Sequence, residues 1–386
     1  MVEVTADLPE RLEVVIKDAR SVVRCPFCGF KTDKVHETKR VRIKDLPMNG
    51  RKTVLLWLRR RFHCANCDER HTETHQVIEG KMTARFARAI VKDATQLSIT
   101  EIARRYGLSW HCVMSLVTAW SARVGEHRRN KPCLVVLVDE VSLRRRHRYV
   151  TQVLNGATGE LLATIPHRDQ RALSSFFTSQ GHRWLRKVKV VVTDGSPAYR
   201  AAIRTHVGHA THVLDHFHVA RWFAAGLIEV RRRVQRGEPG ESPVFSPVIF
   251  RTRFLQLAQA EHLNPDQFAR LAMALTEDPE LLHAWRLLQQ LYGIYDAADE
   301  AEAKDRIEDF VRSWDETQIP EFRSVLKALT EWLPEILAFH TEGGISNGRL
   351  EGTNNKVGVL KRIAYGFVNV DNFGARALLW CPGVAS

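Results

Sequence analysis

Two apolar runs that each end on an aspartate constrain the fold of this chain most strongly: LVVLVD at 134–139 and VKVVVTDG at 188–195. An apolar run of strand length without alternation reads as a strand covered on both faces, at the centre of a sheet. A carboxylate at its end lies where the strand leaves the core, so it can stand in a cleft without being fully desolvated.

The sequence between and after these runs completes one plan. RYVTQVLNGATGELLATIP reads as a hairpin, strands 148–154 and 160–165, with Asn155-Gly156 and Thr158-Gly159 as turn signals. ALSSFFTSQGHRWL and SPAYRAAIRTH read as helices, ATHVLDHFHV as a strand and VARWFAAGLIEVRRRVQR as a long helix. Strand order β-β-β-α-β-α-β-α, with acids closing the first and fourth strands, is a ribonuclease-H-like mixed sheet in a multidomain α/β chain. The acids are Asp139 and Asp194; Glu140 competes for the first position, and strand alternation does not separate it from Asp139.

A third acid comes from ISNGRLEGTNNKVGVLKRIAYGF, residues 345–367. A glycine-asparagine loop leads into a helix that carries Glu351, Asn354, Asn355, Lys361 and Arg362 and stops at Gly366. Positions 351, 355, 358 and 362 share one helix face. An exposed, salt-bridged helix is the ordinary meaning of such a pattern; the two upstream aspartates favour a functional one, with Asn355 and Arg362 at the edge of an active site. Three carboxylates on a rigid sheet can hold two Mg²⁺ (or Mn²⁺) ions about 3.5–4 Å apart. One ion would activate a water or 3′-hydroxyl and the other would stabilise the leaving oxygen, with no side-chain nucleophile. Because 44 acidic residues supply many triples, the strand ends and the helix opening carry the choice. Asp215 and His218 in LDHFHV are either a structural hydrogen-bonded pair or part of the metal site's edge.

At 386 residues the chain needs more than one core. Its net charge is +13, and residues 1–129 hold 25 Lys and Arg against 15 Asp and Glu. A basic N-terminal third points to a polyanion, and for a chain without a span of ~20 apolar residues or a signal pattern that means nucleic acid in the cytoplasm and no membrane. Four of seven cysteines form two CxxC pairs, Cys25/Cys28 and Cys64/Cys67, a spacing that lets each pair grip one side of a tetrahedral structural Zn²⁺. Between them RVRIKDLP and KTVLLWLRRRFHC form a hairpin about Asn49-Gly50. Residues 12–24 read as a further strand pair; His63, His71 and His75 are alternative ligands; Cys112, Cys133 and Cys381 read as buried thiols.

From Thr83 the period turns helical. ARFARAIVKDATQL, ITEIARRYG and LSWHCVMSLVTAW have helix-turn-helix spacing, with Gly107 in the turn and Ser109 as cap, and place Ser109, Trp110, His111, Ser115 and Thr118 toward a DNA groove. RVGEHRRNK (123–131) reads as a basic linker. The expected domains are therefore a zinc ribbon (1–80), a helix-turn-helix (81–130), a first catalytic part (131–236), an all-helical insertion (237–340) and a closing catalytic part (341–386). Residues 237–245 (GEPGESPVF) read as a hinge, and Trp285, Trp314 and Trp332 as core residues of the insertion, where base stacking is the less ordinary role.

These motifs together resemble the DDE transposases of bacterial insertion sequences, the ISL-type group with an N-terminal zinc ribbon. CPFC…CANC, SITEIARRYGLSW, VDEVS, RYVTQVL, VVTDGSPAY, VLDHFHV and SNGRLEGTNNKVGVLKRIAYGF carry the likeness, the last most specifically. The resemblance implies that Asp139, Asp194 and Glu351 are the three acids, which settles Asp139 over Glu140. It also implies a helical insertion before the glutamate, and double-stranded DNA with terminal inverted repeats as substrate. In related transposases with such insertions a (C/D)xxH signature borders the active site, and Asp215 and His218 stand where it would fall. The tail after Leu379 (WCPGVAS) departs from the pattern. The activity expected is metal-dependent DNA cleavage and strand transfer into target DNA by a homodimer or larger multimer that pairs two ends. The alternative is a DNA-binding regulator with zinc ribbon and helix-turn-helix on an inactive nuclease fold.

Overall fold

A computed structural model describes residues 3–144, 148–236 and 245–381. The chain divides into two compact units, one of Met1–Val124 with Val357–Trp380, the other of Gly125–Lys356 with Cys381–Ser386.

In the first unit a long hairpin, Val35–Met48 and Arg51–His63, turns at Asn49 (φ 50°) and Gly50 (φ 76°), the left-handed pair that a two-residue hairpin loop requires. Five more strands complete its sheet. The pair expected at 12–24 is not formed. Arg11–Ile16 pairs with Glu3–Leu8, while Val23–Arg24 pairs with Lys31–Thr32 across the first CxxC turn. Glu3–Leu8 is exposed along nearly its whole length, so it lacks the apolar face that marks a strand in sequence.

Three helices follow, Ala84–Asp93, Ile99–Tyr106 and Trp110–Arg129. Thr83 and Ser98 cap the first two, and Gly107 ends the second in the left-handed conformation. Phe86, Ile90, Ile102, Val113 and Val117 form their buried seam. The third helix runs through most of the expected basic linker. Arg128 is buried rather than solvated and donates to Leu161 O at 2.6 Å, and basic side chains suit a last helical turn. The C-terminal helix Val370–Trp380 also belongs to the first unit. Its buried Arg376 donates to the carbonyls of Ala94 (2.8 Å) and Leu97 (2.7 Å), which follow the helix Ala84–Asp93.

The second unit holds a five-stranded sheet in the order Leu161–Pro166, Arg148–Asn155, Val135–Arg144, Val190–Thr193, Thr211–Leu214. The first three are antiparallel, and the last two run parallel to Val135–Arg144. Val136, Leu137 and Val138 are wholly buried, as a strand covered on both faces must be. Helices Gln170–Gln180 and Pro197–Val207 cover one face through Leu173, Phe176, Phe177, Tyr199 and Ile203. Two readings change here. Gly181, at φ 76°, breaks the first helix before His182–Leu185. The strand expected over ATHVLDHFHV ends at Leu214, and His216–Arg236 is already helical. Asp215 O accepts the N–H groups of His218 and Val219, and Val219, Phe223 and Leu227 join the core of the helices that follow, so tertiary packing on one helical face outweighs the strand preference of the aromatic residues.

Residues 247–341 are helical, and Leu281, Leu288, Phe310, Trp314, Phe322 and Trp332 share one core with Val219, Phe223 and Leu227 of His216–Arg236. Trp285 packs against the same core. TRFLQLAQAEHL (252–263) is not a helix: it follows the short helix Pro247–Arg251 and forms two 3₁₀ turns, Leu255–Leu257 and Ala260–His262. The helix expected over 322–340 breaks at Trp332, because Pro334 accepts only a first-turn position. The expected hinge lies outside the described residues save Phe245.

Arg376→Ala should lower the stability of the first unit by about 2–4 kcal/mol, because it opens a cavity and strands two buried carbonyls. Chemical denaturation followed by the tryptophans of that unit measures it; an unchanged midpoint would show that the guanidinium holds nothing.

Candidate active site

Asp139 lies in the central strand Val135–Arg144, Asp194 directly follows Val190–Thr193, and the two strands are parallel neighbours. Their carboxylate oxygens and a ring nitrogen of His218 lie within 4.8 Å of one another. All three line a polar cavity of about 660 Å³ together with Glu140, Asp215, Arg221, Asn347 and Glu351.

The contacts around the acids are mostly uncharged. Asp139 accepts from the Glu140 N–H at 2.7 Å through Oδ1 and from Asn354 Nδ2 at 2.7 Å through Oδ2. Asp194 Oδ1 accepts from the Ser196 N–H at 3.2 Å. Burial pushes the Asp139 carboxyl up to about 6, helped by Asp194, and burial raises Asp194 as well. Glu140 reaches the same cavity, but its carboxylate is held by Arg168 at 2.9 Å.

Asp215 is nearly inaccessible. Its Oδ2 accepts from His218 Nδ1 at 2.9 Å and its Oδ1 from the Asn347 N–H at 2.9 Å. With Nδ1 engaged, the Nε2 of His218 is left for the aspartates, and the hydrogen bond to Asp215 raises the His218 pKa. Asn347 also donates from Nδ2 to Val138 O at 3.2 Å, which ties the loop before the Glu351 helix to the central strand.

The helix Gly348–Ile363 carries Glu351 in its first turn. Glu351 is exposed on the cavity wall, stands outside the Asp139–Asp194–His218 cluster, and its carboxylate has no partner among the described residues. The asparagine that touches an acid is Asn354, while Asn355 is exposed and does not line the cavity. Both asparagines fit helical spacing from Glu351, at i+3 and i+4, so the pattern alone could not choose. Arg362 is exposed in the last turn of the helix, three turns beyond Glu351. Sequence gave no signal for Gln152. It is fully buried opposite Asp139 in the neighbouring strand, and both its amide atoms lack a partner among the described residues.

In the first unit the four thiols of Cys25, Cys28, Cys64 and Cys67 lie within 4.8 Å of one another, with Cys25–Cys67 at 3.7 Å and Cys28–Cys64 at 3.5 Å. Zn–S bonds of ~2.3 Å in a tetrahedron separate sulfurs by ~3.8 Å, so the thiols already stand at liganding distances. The two turns match: Gly29 N–H to Cys25 O and Asp68 N–H to Cys64 O, both at 2.9 Å, with Gly29 and Asp68 left-handed. The backbone N–H of Phe30 draws the Cys28 thiol down, while burial and the neighbouring thiols push Cys67 up, because four clustered thiols do not all ionise without a cation among them. None of His63, His71 and His75 belongs to this cluster. Cys133 and Cys381 are buried, as expected; Cys112 is only partly so.

Ser109 caps the helix Trp110–Arg129 by accepting the Cys112 N–H at 3.2 Å. Ser109, Trp110, His111, Ser115 and Thr118 are all exposed on it.

Residues 136–377 match a transposase domain of the ISL3 type, residues 21–67 the zinc finger of the IS204/IS1001/IS1096/IS1165 transposases, and residues 80–121 the helix-turn-helix domain of transposase family ISL3. The transposase for insertion sequence element IS1001 of Bordetella parapertussis is 27% identical over 387 residues, covering 100% of this chain and 95% of the relative. The transposase for IS1557 of Mycobacterium tuberculosis is 27% identical over 311 residues, 75% of this chain and 70% of the relative. The chain belongs to the ISL3 family of insertion-sequence transposases.

Proposed function

We propose that this transposase binds the terminal inverted repeats of its element and cleaves and rejoins DNA there, with Asp139, Asp194 and Glu351 as its metal-binding acids. The observation that carries the reading is the convergence of Asp139, Asp194 and His218 in one polar cavity, from inside one strand, the end of its neighbour and the first turn of a helix. The sheet order, three antiparallel strands followed by two parallel ones, supports a ribonuclease-H-like core. The domain plan is a zinc ribbon to residue 80, a helix-turn-helix to 130, and a catalytic domain in two parts (131–236 and 341–386) around a helical insertion.

Two half-buried carboxylates and an imidazole nitrogen make an oxygen-rich donor set that fits Mg²⁺ or Mn²⁺. A pair of such ions, when bound, would supply Lewis acidity at both the attacking and the leaving oxygen of an in-line displacement at phosphorus. The chain's own residues prepare the place. Asn354 and the Glu140 amide fix the Asp139 carboxylate. Asp215 has both oxygens occupied, so it orients His218 rather than acting as a ligand itself. Arg221, on the cavity wall, offers a guanidinium to the phosphates of the incoming strand. Asn354 stands one turn from Glu351, so the contact that fixes Asp139 also sets how far the third acid lies from it.

Coordinated cutting requires two ends held together, so the working form is a homodimer or larger, acting on element and target DNA in the cytoplasm. The regulator reading draws on Glu351 standing outside the cluster. Labelled element ends with Mg²⁺ or Mn²⁺ separate the two. Nicking at the terminus by the wild type, reduced at least about a hundredfold in Asp194→Asn with DNA binding retained, is the expected result. Binding without cleavage by the wild type would leave the regulator.

The pH dependence has a definite sign. An Asp139 pKa raised to about 6 disfavours the folded state as pH rises from the unfolded value through 6, by about 3 kcal/mol at neutral pH. The raised His218 acts in the same direction, its stabilisation being lost as pH rises through its folded pKa. Stabilisation by Mn²⁺ should therefore be larger at pH 8 than at pH 5.5, with protons released on binding below neutrality. A thermal shift that is the same at both pH values would count against ions at these acids.

For the ribbon, zinc analysis of Cys25→Ser and Cys64→Ser should show the loss of one zinc per chain, and a ribbon that no longer folds. Unchanged zinc content would refute the four-thiolate assignment.

A further inference from the structure

The first unit carries a second exposed feature beside its helix-turn-helix. The helix Gly348–Ile363 ends in a closing turn in which the Gly366 N–H bonds Lys361 O at 2.9 Å and the Tyr365 N–H bonds Arg362 O at 3.1 Å. In such a turn the residue after the cap takes the left-handed conformation, and glycine is its usual occupant. Here that residue is Tyr365, at φ 56°. A bulky side chain at positive φ is strained, and burial does not offset the strain, since Tyr365 is 94% exposed. Val368, three residues on, is 89% exposed.

The tip that presents them is nonetheless held firmly. Phe367 packs inward, edge-on to Phe373 at 5.1 Å and under the Arg376 guanidinium at 5.7 Å. Arg376 in turn is bonded to Ala94 and Leu97 beside the helix-turn-helix. A groove of about 550 Å³ separates the tip from that motif, with Tyr365, Asn369 and Asn372 on one wall and Ser98, Trp110 and Met114 on the other. Trp110 is the first residue of the helix expected to enter DNA and is itself 40% exposed. The carboxylate on this groove, Glu101, is bound by Arg104 at 2.8 Å, and the exposed Arg362 stands in the last helical turn before the tip.

We propose that the Tyr365–Val368 tip is a second DNA-contacting element, seated against the same duplex as the helix-turn-helix, with Tyr365 as an aromatic wedge and Arg362 on the neighbouring phosphates. Strain and exposure at one aromatic residue are costs that the isolated unit does not recover, whereas a base step or a sugar edge would cover the ring. Duplex DNA fits better than a second copy of the chain, because phosphates complement the exposed Arg362, whereas a two-fold self-contact through this face would bring that guanidinium toward its own copy. The inference rests on the reading of this unit as DNA-binding, and assigns Arg362 to DNA rather than to the edge of the acid site.

The test uses the full chain and a labelled duplex spanning one end of the element that encodes it, read by fluorescence anisotropy over a salt series. Tyr365→Gly should bind about tenfold or more weakly with the salt slope unchanged, since no charge is lost. Its thermal midpoint should equal or exceed that of the wild type, because glycine relieves the turn. Arg362→Ala should reduce the salt slope by about one, and Tyr365→Phe should bind like the wild type. Affinity of Tyr365→Gly within twofold of wild type overturns the proposal. So does a loss of self-association in sedimentation with DNA affinity intact, which would make the tip a contact between copies. A wild type that does not bind the duplex at all would instead sink the DNA-binding reading of the whole unit.

Discussion

Two half-buried carboxylates on neighbouring parallel strands, Asp139 within Val135–Arg144 and Asp194 just past Val190–Thr193, set the terms for the rest of the second unit. Asp139 and Asp194 repel each other, and burial strengthens the repulsion. A fold could relieve it with a lysine or arginine salt bridge, and the surroundings do not. The contacts to the two acids come from the backbone of Glu140 and Ser196 and from the amide of Asn354. Arg168, a cation that reaches this region, is paired with Glu140 instead. Neutral donors orient the carboxylates without pairing them to a lysine or arginine, which is the arrangement the proposed metal binding needs.

Asp215 shows how that orientation is transmitted. One carboxylate joins the junction of strand and helix after Leu214, the ring of His218, and the backbone of Asn347 just ahead of the Glu351 helix. It is buried with both oxygens occupied, so removing it would strand an imidazole and an amide together. Asn347 then reaches Val138 and Asn354 reaches Asp139, successive residues of the central strand. The start of the Glu351 helix is thus pinned by directional hydrogen bonds, where an apolar contact would tolerate sliding.

Much of this was legible in sequence, and the lapses have physical causes. LVVLVD and VVVTDG announced their strands because burial on both faces leaves no other use for such runs. The two CxxC pairs and the Asn-Gly turn were equally plain, since each needs particular residue types at fixed spacing. Errors came where tertiary contacts decided the outcome. Arg128 looks like linker until its carbonyl partner is known, and HFHV looks like strand until Asp215 is seen capping a helix. Asn354, not Asn355, touches Asp139, and one residue of helical phase is below what spacing from Glu351 resolves. Gln152 carries no mark in sequence, because a glutamine inside a strand is noticed only once its neighbours are in place.

Gly107 and Tyr365 occupy equivalent positions, each left-handed at the end of a helix in the first unit. At Gly107 the atoms nearest to an added Cβ belong to the flexible Lys52 side chain, so glycine there answers to backbone geometry first. Tyr365 meets the same geometric demand with a side chain that costs roughly 1–2 kcal/mol in that conformation. Gly366 follows it directly, so the segment already contains the residue that would close the turn without strain. A chain selected for stability alone would have the glycine one place earlier. Local preference and observed conformation also conflict at Gln318, left-handed at the end of Glu300–Thr317. At Tyr365, though, the conflict falls on an exposed aromatic ring beside a helix-turn-helix, and such conflicts are expected where a surface answers to a partner rather than to its own core.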